Sequence, residues 1–401
     1  MRRLIREVSI RRILPLWLIG AVFSGTSCRQ DDAVGPASSG TAPTLATTTT
    51  APLAFYQVSA GSNYTCGVTL DSRGFCWGAG ALGDGTYSHR TPREVSGGLR
   101  FRQVSASTST CAVTTAYVAY CWGDNFYGEI GDGTTSARAT PVRVAGTLRF
   151  RTVSTFLWHS CGLSYPGGKA YCWGRNSSGQ LGDGTTIDRL TPVPVAGGRQ
   201  FRQIDAGNSH TCALGTDNRA FCWGADDVGQ LGDGPQAQRH LRPVGVAGGF
   251  QFAQLDTGED HTCAVTTSHV AYCWGAGGFG RIGDGKSLNR FTPRMVAGGL
   301  SFDRVTAGYS QSCGEQVGNQ AYCWGWNLQG EIGDATTTQR LKPVAVSGGH
   351  FFSQVSAGRD FHTCARTADG VAYCWGNNAY GQLGDGRTDG HMTPTPVAGP
   401  M

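Results

Sequence analysis

Along most of the chain, short apolar runs alternate with turns bounded by glycine and proline, and the 3.6-residue period of an amphipathic helix is absent. Residues 201–249 show the basic unit. Phe201-Arg202-Gln203-Ile204 reads as a first strand that ends in a turn at Ala206-Gly207. Residues 211–214 and 220–223 read as the second and third strands, joined by the short turn Thr216-Asp217-Asn218. A glycine-rich loop at 229–234 follows, and Pro243-Val244-Gly245-Val246 reads as a fourth strand before Gly248-Gly249.

The unit recurs seven times. A Cys-Trp-Gly tripeptide places its tryptophan at Trp77, Trp122, Trp173, Trp223, Trp274, Trp324 and Trp375, with spacings of 45, 51, 50, 51, 50 and 51 residues. The short first step comes from the loop at 79–82, which is three residues shorter than its equivalent at 124–130. Four strands per unit, repeated in this way, predict an all-β, seven-bladed β-propeller of four-stranded antiparallel blades over residues 53–401. An open solenoid would carry atypical polar caps, and here the first and last units resemble the inner ones. For the ring to close, Thr393-Pro394-Thr395-Pro396-Val397 is expected to share a blade with the strand at 55–58, so that both chain ends knit one blade together.

The stretch A-G-x-x-H-[ST]-C-A followed by C-W-G-x-N-x-x-G-Q-L-G-D-G is best seen at 206–213 with 222–234, and at 357–365 with 374–386. It resembles the regulator of chromosome condensation repeat family across about residues 53–400. That resemblance implies a seven-bladed propeller of a kind that mostly serves as an interaction platform.

Composition agrees with many tight turns: glycine contributes 61 of 401 residues, and only 15% are charged. The formal charge of +5 is concentrated at the amino terminus. Residues 1–27 hold five of the 33 basic residues and one of the 28 acidic ones, which leaves 28 against 27 in the remainder. That balance offers no electrostatic footprint for nucleic acid.

The amino terminus reads as an address. Residues 1–12 are arginine-rich, and residues 13–23 form an apolar run too short to span a bilayer but normal for a signal-peptide core. Small residues then lead to Cys28, in a pattern that resembles the bacterial lipoprotein processing site. Thr26 and Ser27 fit that pattern, whereas Gly25 stands where a leucine-like residue is usual. Residues 1–27 are therefore expected to be a lipoprotein signal peptide, with Cys28 lipidated. Residues 28–52, rich in Ser, Thr, Ala, Gly and Pro, are expected to be a disordered tether. The mature chain is expected in the cell envelope, anchored by lipid to the extracytoplasmic face of a membrane.

The 15 cysteines sort without remainder. Fourteen are expected to form one disulfide per unit: Cys66 with Cys76, Cys111 with Cys121, Cys161 with Cys172, Cys212 with Cys222, Cys263 with Cys273, Cys313 with Cys323, and Cys364 with Cys374. The odd one is Cys28, which the lipid would consume. A separation of ten residues lets two antiparallel strands fold back around a short turn with their cysteines opposed, and in the third pair the turn at 165–168 absorbs one extra residue. Such a framework belongs to an oxidising compartment. Zinc does not fit, because each unit offers two thiols and at most one regular histidine.

Other recurring residues read as scaffold. His159, His210, His261 and His362 stand two residues before a cysteine, where the other units have Tyr64, Ser109 and Gln311, and a turn-bracing role is expected. The aspartate of each Gly-Asp pair is expected to brace its turn, and the tryptophans to pack between blades. No nucleophile elbow, phosphate loop or H-E-x-x-H motif is present, and neither catalysis nor a cofactor nor a metal is expected.

Symmetric positions build the scaffold, so function is expected where the units differ. Two loops vary most, the one after the A-G turn and the one after C-W-G, and they carry Phe126, Tyr127, Phe156, Trp158, Phe279, Tyr309, Trp326 and Tyr380. Aromatics in small, polar loops are the residues that anchor interfaces. The leading expectation is a monomeric platform that binds a protein or an envelope glycan. Guanine-nucleotide exchange on a small GTPase, as in the family's namesake, is the first alternative. Inhibition of a secreted enzyme, or hydrolysis of a polysaccharide by paired carboxylates at the propeller mouth, is the second.

Overall fold

The computed structural model describes residues 53–399; the expected signal peptide, Cys28 and the tether lie outside them. The described residues form seven four-stranded antiparallel sheets, each made of strands consecutive in sequence. These blades 1 to 7 span residues 55–94, 101–143, 150–194, 201–245, 252–295, 302–345 and 352–396. In blade 4 the strands are Phe201–Ala206, His210–Gly215, Ala220–Gly224 and His240–Gly245, running from the central channel outward. All four expected strands are present, and the last begins earlier than its sequence pattern because His240 already pairs with Gly224.

A register shift between Phe201 and Gln203 bulges the inner strand. It lets Phe201 and Ile204, three residues apart, both turn into the core, which a strict period of two would forbid.

The cysteines of each blade face each other across its second and third strands, and every expected pairing is present. Cys66 is bridged to Cys76 in blade 1, Cys111 to Cys121 in blade 2, and Cys161 to Cys172 in blade 3. Cys212 is bridged to Cys222 in blade 4, Cys263 to Cys273 in blade 5, Cys313 to Cys323 in blade 6, and Cys364 to Cys374 in blade 7. The Cα separations are 4.0–4.1 Å, as close as directly opposed strand positions allow. In blade 3 Cys161 still opposes Cys172, and the extra residue sits in a turn where Gly167 and Gly168 take positive φ.

The apolar core lies between blades and not within them. Cys161, Cys172, Leu181 and Val195 of blade 3 pack against Phe201, Ile204 and Trp223 of blade 4, and every other seam repeats this cluster. The tryptophan explains the loop motif. Trp223 Nε1 donates to the carbonyl of Gln180 at 2.9 Å, and the Thr211 hydroxyl donates to the same oxygen at 2.8 Å. The loop can approach so closely only because Gly182 follows at φ +67; a Cβ there would lie 2.6 Å from Trp223 Nε1.

Polar bonds close the same seams. Gln57, Gln103, Gln203, Gln254 and Gln354 each clamp the next blade, donating to a carbonyl and accepting from the N–H of the same Val or Leu. Two residues further on, Ser59, Ser105, Ser154, Asp205, Asp256, Thr306 and Ser356 each accept an N–H of the next blade, completing a ring of seven. The histidines lie against their own turns, as His210 does against Gly207, and also cross seams: His159 Nε2 meets the Thr211 hydroxyl at 2.8 Å, and His210 meets that of Thr262 at 3.0 Å.

One expectation is overturned. Residues 393–397 do not share a blade with the strand at 55–58: His391–Pro396 pairs with Ala372–Gly376, and Phe55–Ala60 pairs with Tyr64–Thr69. Each F-x-x-V strand is the innermost member of the unit that follows it, so no strand is left over to exchange. The chain ends occupy neighbouring blades and meet through side chains, with Leu53, Phe55, Trp77, Leu383 and Val397 in one cluster.

These seams make two testable statements. Gly182→Ala is expected to lower stability by about 3 kcal/mol, while Gly198→Ala, at φ +63 with nothing within 4 Å, costs about 1 kcal/mol, read from urea midpoints. Burial drives His159 down to about 3 and His210 and His362 down to about 4. The unfolded chain therefore takes up these protons first, and stability present at neutral pH is lost as pH falls from about 6.5 toward 4. His210→Gln, which copies Gln311 of blade 6, is expected to reduce the loss between pH 7 and pH 5 by about 2 kcal/mol. An unchanged pH dependence would exclude this ring as a source of acid sensitivity.

Candidate functional site

Antiparallel meanders put the loop between strands 1 and 2 and the loop between strands 3 and 4 on one face of the ring. The second of these is held from below. In blade 3, Asp183 Oδ1 accepts the Thr185 N–H at 2.9 Å and its hydroxyl at 2.7 Å, while Arg189 lies 2.9 Å from Oδ2. Burial alone would raise the Asp183 carboxyl, but these bonds outweigh it and hold the group below its ordinary range. The same aspartate pairs with Arg138, Arg290 and Arg340 in blades 2, 5 and 6, and with His89, His240 and His391 in blades 1, 4 and 7. The turn role expected of the Gly-Asp pairs thus extends to tying each loop to its outer strand.

The upper part of the same loop is braced by a glutamine or glutamate. Gln180, Gln230 and Gln382 each accept the backbone N–H two residues earlier, as do Glu129 and Glu331. Blade 5 has Arg281 there, which cannot accept. Its loop becomes a 3-10 turn, Gly278–Gly280, with Phe279 at φ 62. Arg281 Nη1 turns instead to the Tyr309 carbonyl at 3.0 Å and to Glu259 at 3.5 Å. Burial, followed by the charge of Asp260, raises Glu259 above its usual range.

Around Arg281 the structure gathers a run of aromatics across blades 5 to 7. Phe279 meets Trp326 edge-on with centroids 4.4 Å apart, Trp326 lies 6.4 Å from Phe361, and Phe361 lies 5.6 Å from Tyr309. Phe361 was not singled out in the sequence. Its signal is there, since blade 7 has one more residue between Val355 and Cys364 than blade 4 has between Ile204 and Cys212. Phe361, at φ 56, joins Phe279 as a bulky side chain on left-handed backbone, a costly conformation that clusters at functional sites.

The other expected residues divide. Tyr127 and Trp158 form a separate edge-on pair at 5.6 Å, with the Arg175 guanidinium 5.1 Å from the tyrosine ring. Phe126 and Tyr380 point outward, 69% and 49% exposed. Phe156 is 0% exposed and cannot touch a partner. It occupies the position of the A-G glycine in five of the other units (blade 2 has Ser107), and its ring lies 3.6 Å beneath the Arg359 guanidinium.

That arginine belongs to the central channel, a polar cavity of about 370 Å³ lined by the inner strands of all seven blades. Arg359 extends from blade 7 to the Thr257 carbonyl of blade 5, 3.1 Å away, and to Phe156 of blade 3, closing the mouth on the aromatic face. Beside it lie Asp205 and Asp256. Burial, then the adjacent Asp205 charge, holds Asp256 well above the carboxylate range. The two acids converge, yet hydrolysis does not follow. Glycosidase carboxylates stand about 5–9.5 Å apart, with the substrate between them, whereas these are close enough to hydrogen-bond each other. Asp205 is also occupied by the Ser154 hydroxyl and by the N–H and hydroxyl of Thr257. Among the described residues, no group of three or more His, Cys, Asp or Glu side chains could hold a metal ion. Among the same residues, no helix is long and apolar enough to cross a membrane.

Comparison with known proteins places this geometry. The chain is 30% identical over 172 residues to the ultraviolet-B receptor UVR8 of Arabidopsis thaliana, a match covering 41% of this chain and only 39% of the receptor. Human WBSCR16 has a similar structure, with a TM-score of 0.73 at 19% identity over 81% of this chain and 94% of that one. Prp20p of Saccharomyces cerevisiae, described with its binding to Gsp1p and histones, gives 0.67 at 20% identity over 76% and 80%. At these identities the structural likenesses speak for the fold alone. The family model of the RCC1-like domain matches residues 145–401, more than half of the sequence, and the chain therefore belongs to the RCC1-like family.

Proposed function

We propose that this chain is an exported, lipid-anchored propeller that grips a partner protein with the loop arc of blades 5 to 7. The observation that carries the reading is the aromatic run Phe279–Trp326–Phe361–Tyr309, built on two left-handed phenylalanines and rimmed by Arg281 and Glu259. The scaffold does not need these residues, because the other blades close their seams without them. Aromatic side chains beside a partly desolvated arginine are the composition of interface hot spots. Seven disulfides suit an oxidising, extracytoplasmic compartment and speak against exchange on a cytosolic GTPase. The membrane attachment rests on Cys28 and the apolar run before it. An envelope glycan is the alternative occupant of the same arc.

Affinity capture with the full chain tests the arc. Trp326→Ala and Phe279→Ala are expected to lower recovery of the partner at least tenfold, since a hot-spot truncation costs roughly 2 kcal/mol or more, while Tyr380→Ala leaves it unchanged. Equal recovery by all four proteins would remove the arc from the interface. Metabolic palmitate labelling is expected to mark the wild-type chain and not Cys28→Ser.

A further inference from the structure

The channel mouth opposite the aromatic face breaks the seven-fold pattern in another way. At the clamp position, where five blades have glutamine and blade 3 has Thr152, blade 6 has Arg304. Blade 7 has Arg366 on its second strand, where blades 1 to 5 have the apolar Val68, Val113, Leu163, Leu214 and Val265. Both arginines line a cavity of about 330 Å³ together with Arg102 and Tyr56, continuous with the channel through the glutamine row.

The three guanidiniums face a single carboxylate, Glu315, whose charge acts on Arg304 and Arg366. All arginine ion pairs within 4.0 Å among the described residues lie elsewhere. Arg366 donates from Nη1 to the Ser353 hydroxyl and the Thr367 carbonyl, and its buried Nε–H has no acceptor. Arg102 lies over the Tyr117 ring at 4.5 Å. Glu315, the buried carboxylate nearby, accepts the Val355 N–H that a clamp glutamine would otherwise take. Asp303 is engaged by His269 at 3.1 Å. Blade 6 has thus given up a seam bond while placing a cation beside two others.

From this arrangement we infer that the mouth is a binding site for a multiply charged oxyanion, of the phosphate, pyrophosphate or sulphate-ester class. Guanidinium forks match the planar and tetrahedral oxygens of such groups, and the cavity falls within the size range of small-ligand sites. The source is either a free small anion or the same group carried on an envelope polymer.

Calorimetric titration of the intact protein with inorganic pyrophosphate, at fixed ionic strength, tests the site. Wild type and Arg294→Gln, an exposed outer-strand control, are expected to bind alike. Arg304→Gln and Arg366→Val, which restore residues used by other blades, are expected to weaken binding about tenfold each, as the loss of a charge-assisted bond implies. Arg304→Lys retains the charge without the fork and is expected to fall between. Competition by dextran sulphate but not by dextran would assign a polymer-borne source, and its absence a free anion. No pyrophosphate binding by wild type, or an equal loss in Arg294→Gln, would overturn the inference.

Discussion

One backbone carbonyl at each of five seams holds most of this ring together. Gln180 O receives an indole N–H and a threonine hydroxyl from the next blade, and Glu129, Gln230, Arg281 and Glu331 repeat the arrangement. A main-chain acceptor is indifferent to the side chain on its own residue. The scaffold can therefore persist while that side chain changes, and blade 5 shows the result. Arg281 keeps the carbonyl in place for Trp324 and Ser312 while its guanidinium holds the Gly278 carbonyl of its own loop and reaches out to Glu259 and Tyr309. Two seams lack the indole bond: Trp122, facing the short loop of blade 1, and Trp77 each have a buried indole N–H without a partner, and at the closing seam only the Thr65 hydroxyl reaches the Gln382 carbonyl.

Much of this was legible in the chain because the determining contacts are local and repeated. Cysteine spacing fixes which strands pair, so that Cys76, Cys121, Cys273, Cys323 and Cys374 each meet the cysteine ten residues earlier, and Cys172 the one eleven earlier. The glycine before each Gly-Asp aspartate is likewise where an indole needs room. The ownership of the F-x-x-V strand was not legible. In a tandem array either neighbouring unit can claim it, and only the pairing of Phe201–Ala206 with His210–Gly215 decides. Among the variable aromatics, sequence divergence singled out the loops that depart from the repeat and could not say which way a side chain turns. Phe279, Tyr309 and Trp326 converge on the surface, whereas Phe156 fills a glycine position and faces inward. Phe361 enters with the extra residue of blade 7 between Val355 and Cys364, and length alone does not say that an aromatic side chain there joins its neighbours.

The two channel mouths differ in kind. At the aromatic face the charges are matched, with Arg359 set against Asp205 and Asp256, and burial is tolerated because each group has a partner. At the other mouth Arg304 and Arg366 share only the buried Glu315, and burial, with the Arg304 charge behind it, holds Arg366 below its ordinary range. Asp205 and Asp256 occupy positions where other blades place Ser or Thr, so a seam bond was retained there and a charge added.

All seven disulfides lie inside blades, and none crosses a seam. With no strand exchanged between first and last blade, the closing junction is held by the same kinds of contact as its neighbours: a glutamine clamp like those at four other junctions, a serine bond and an apolar cluster. Under tension the covalent staples and the circular closure would fail separately: the ring would open at one junction into a necklace whose hairpin beads remain intact, ready to snap back once the load is removed.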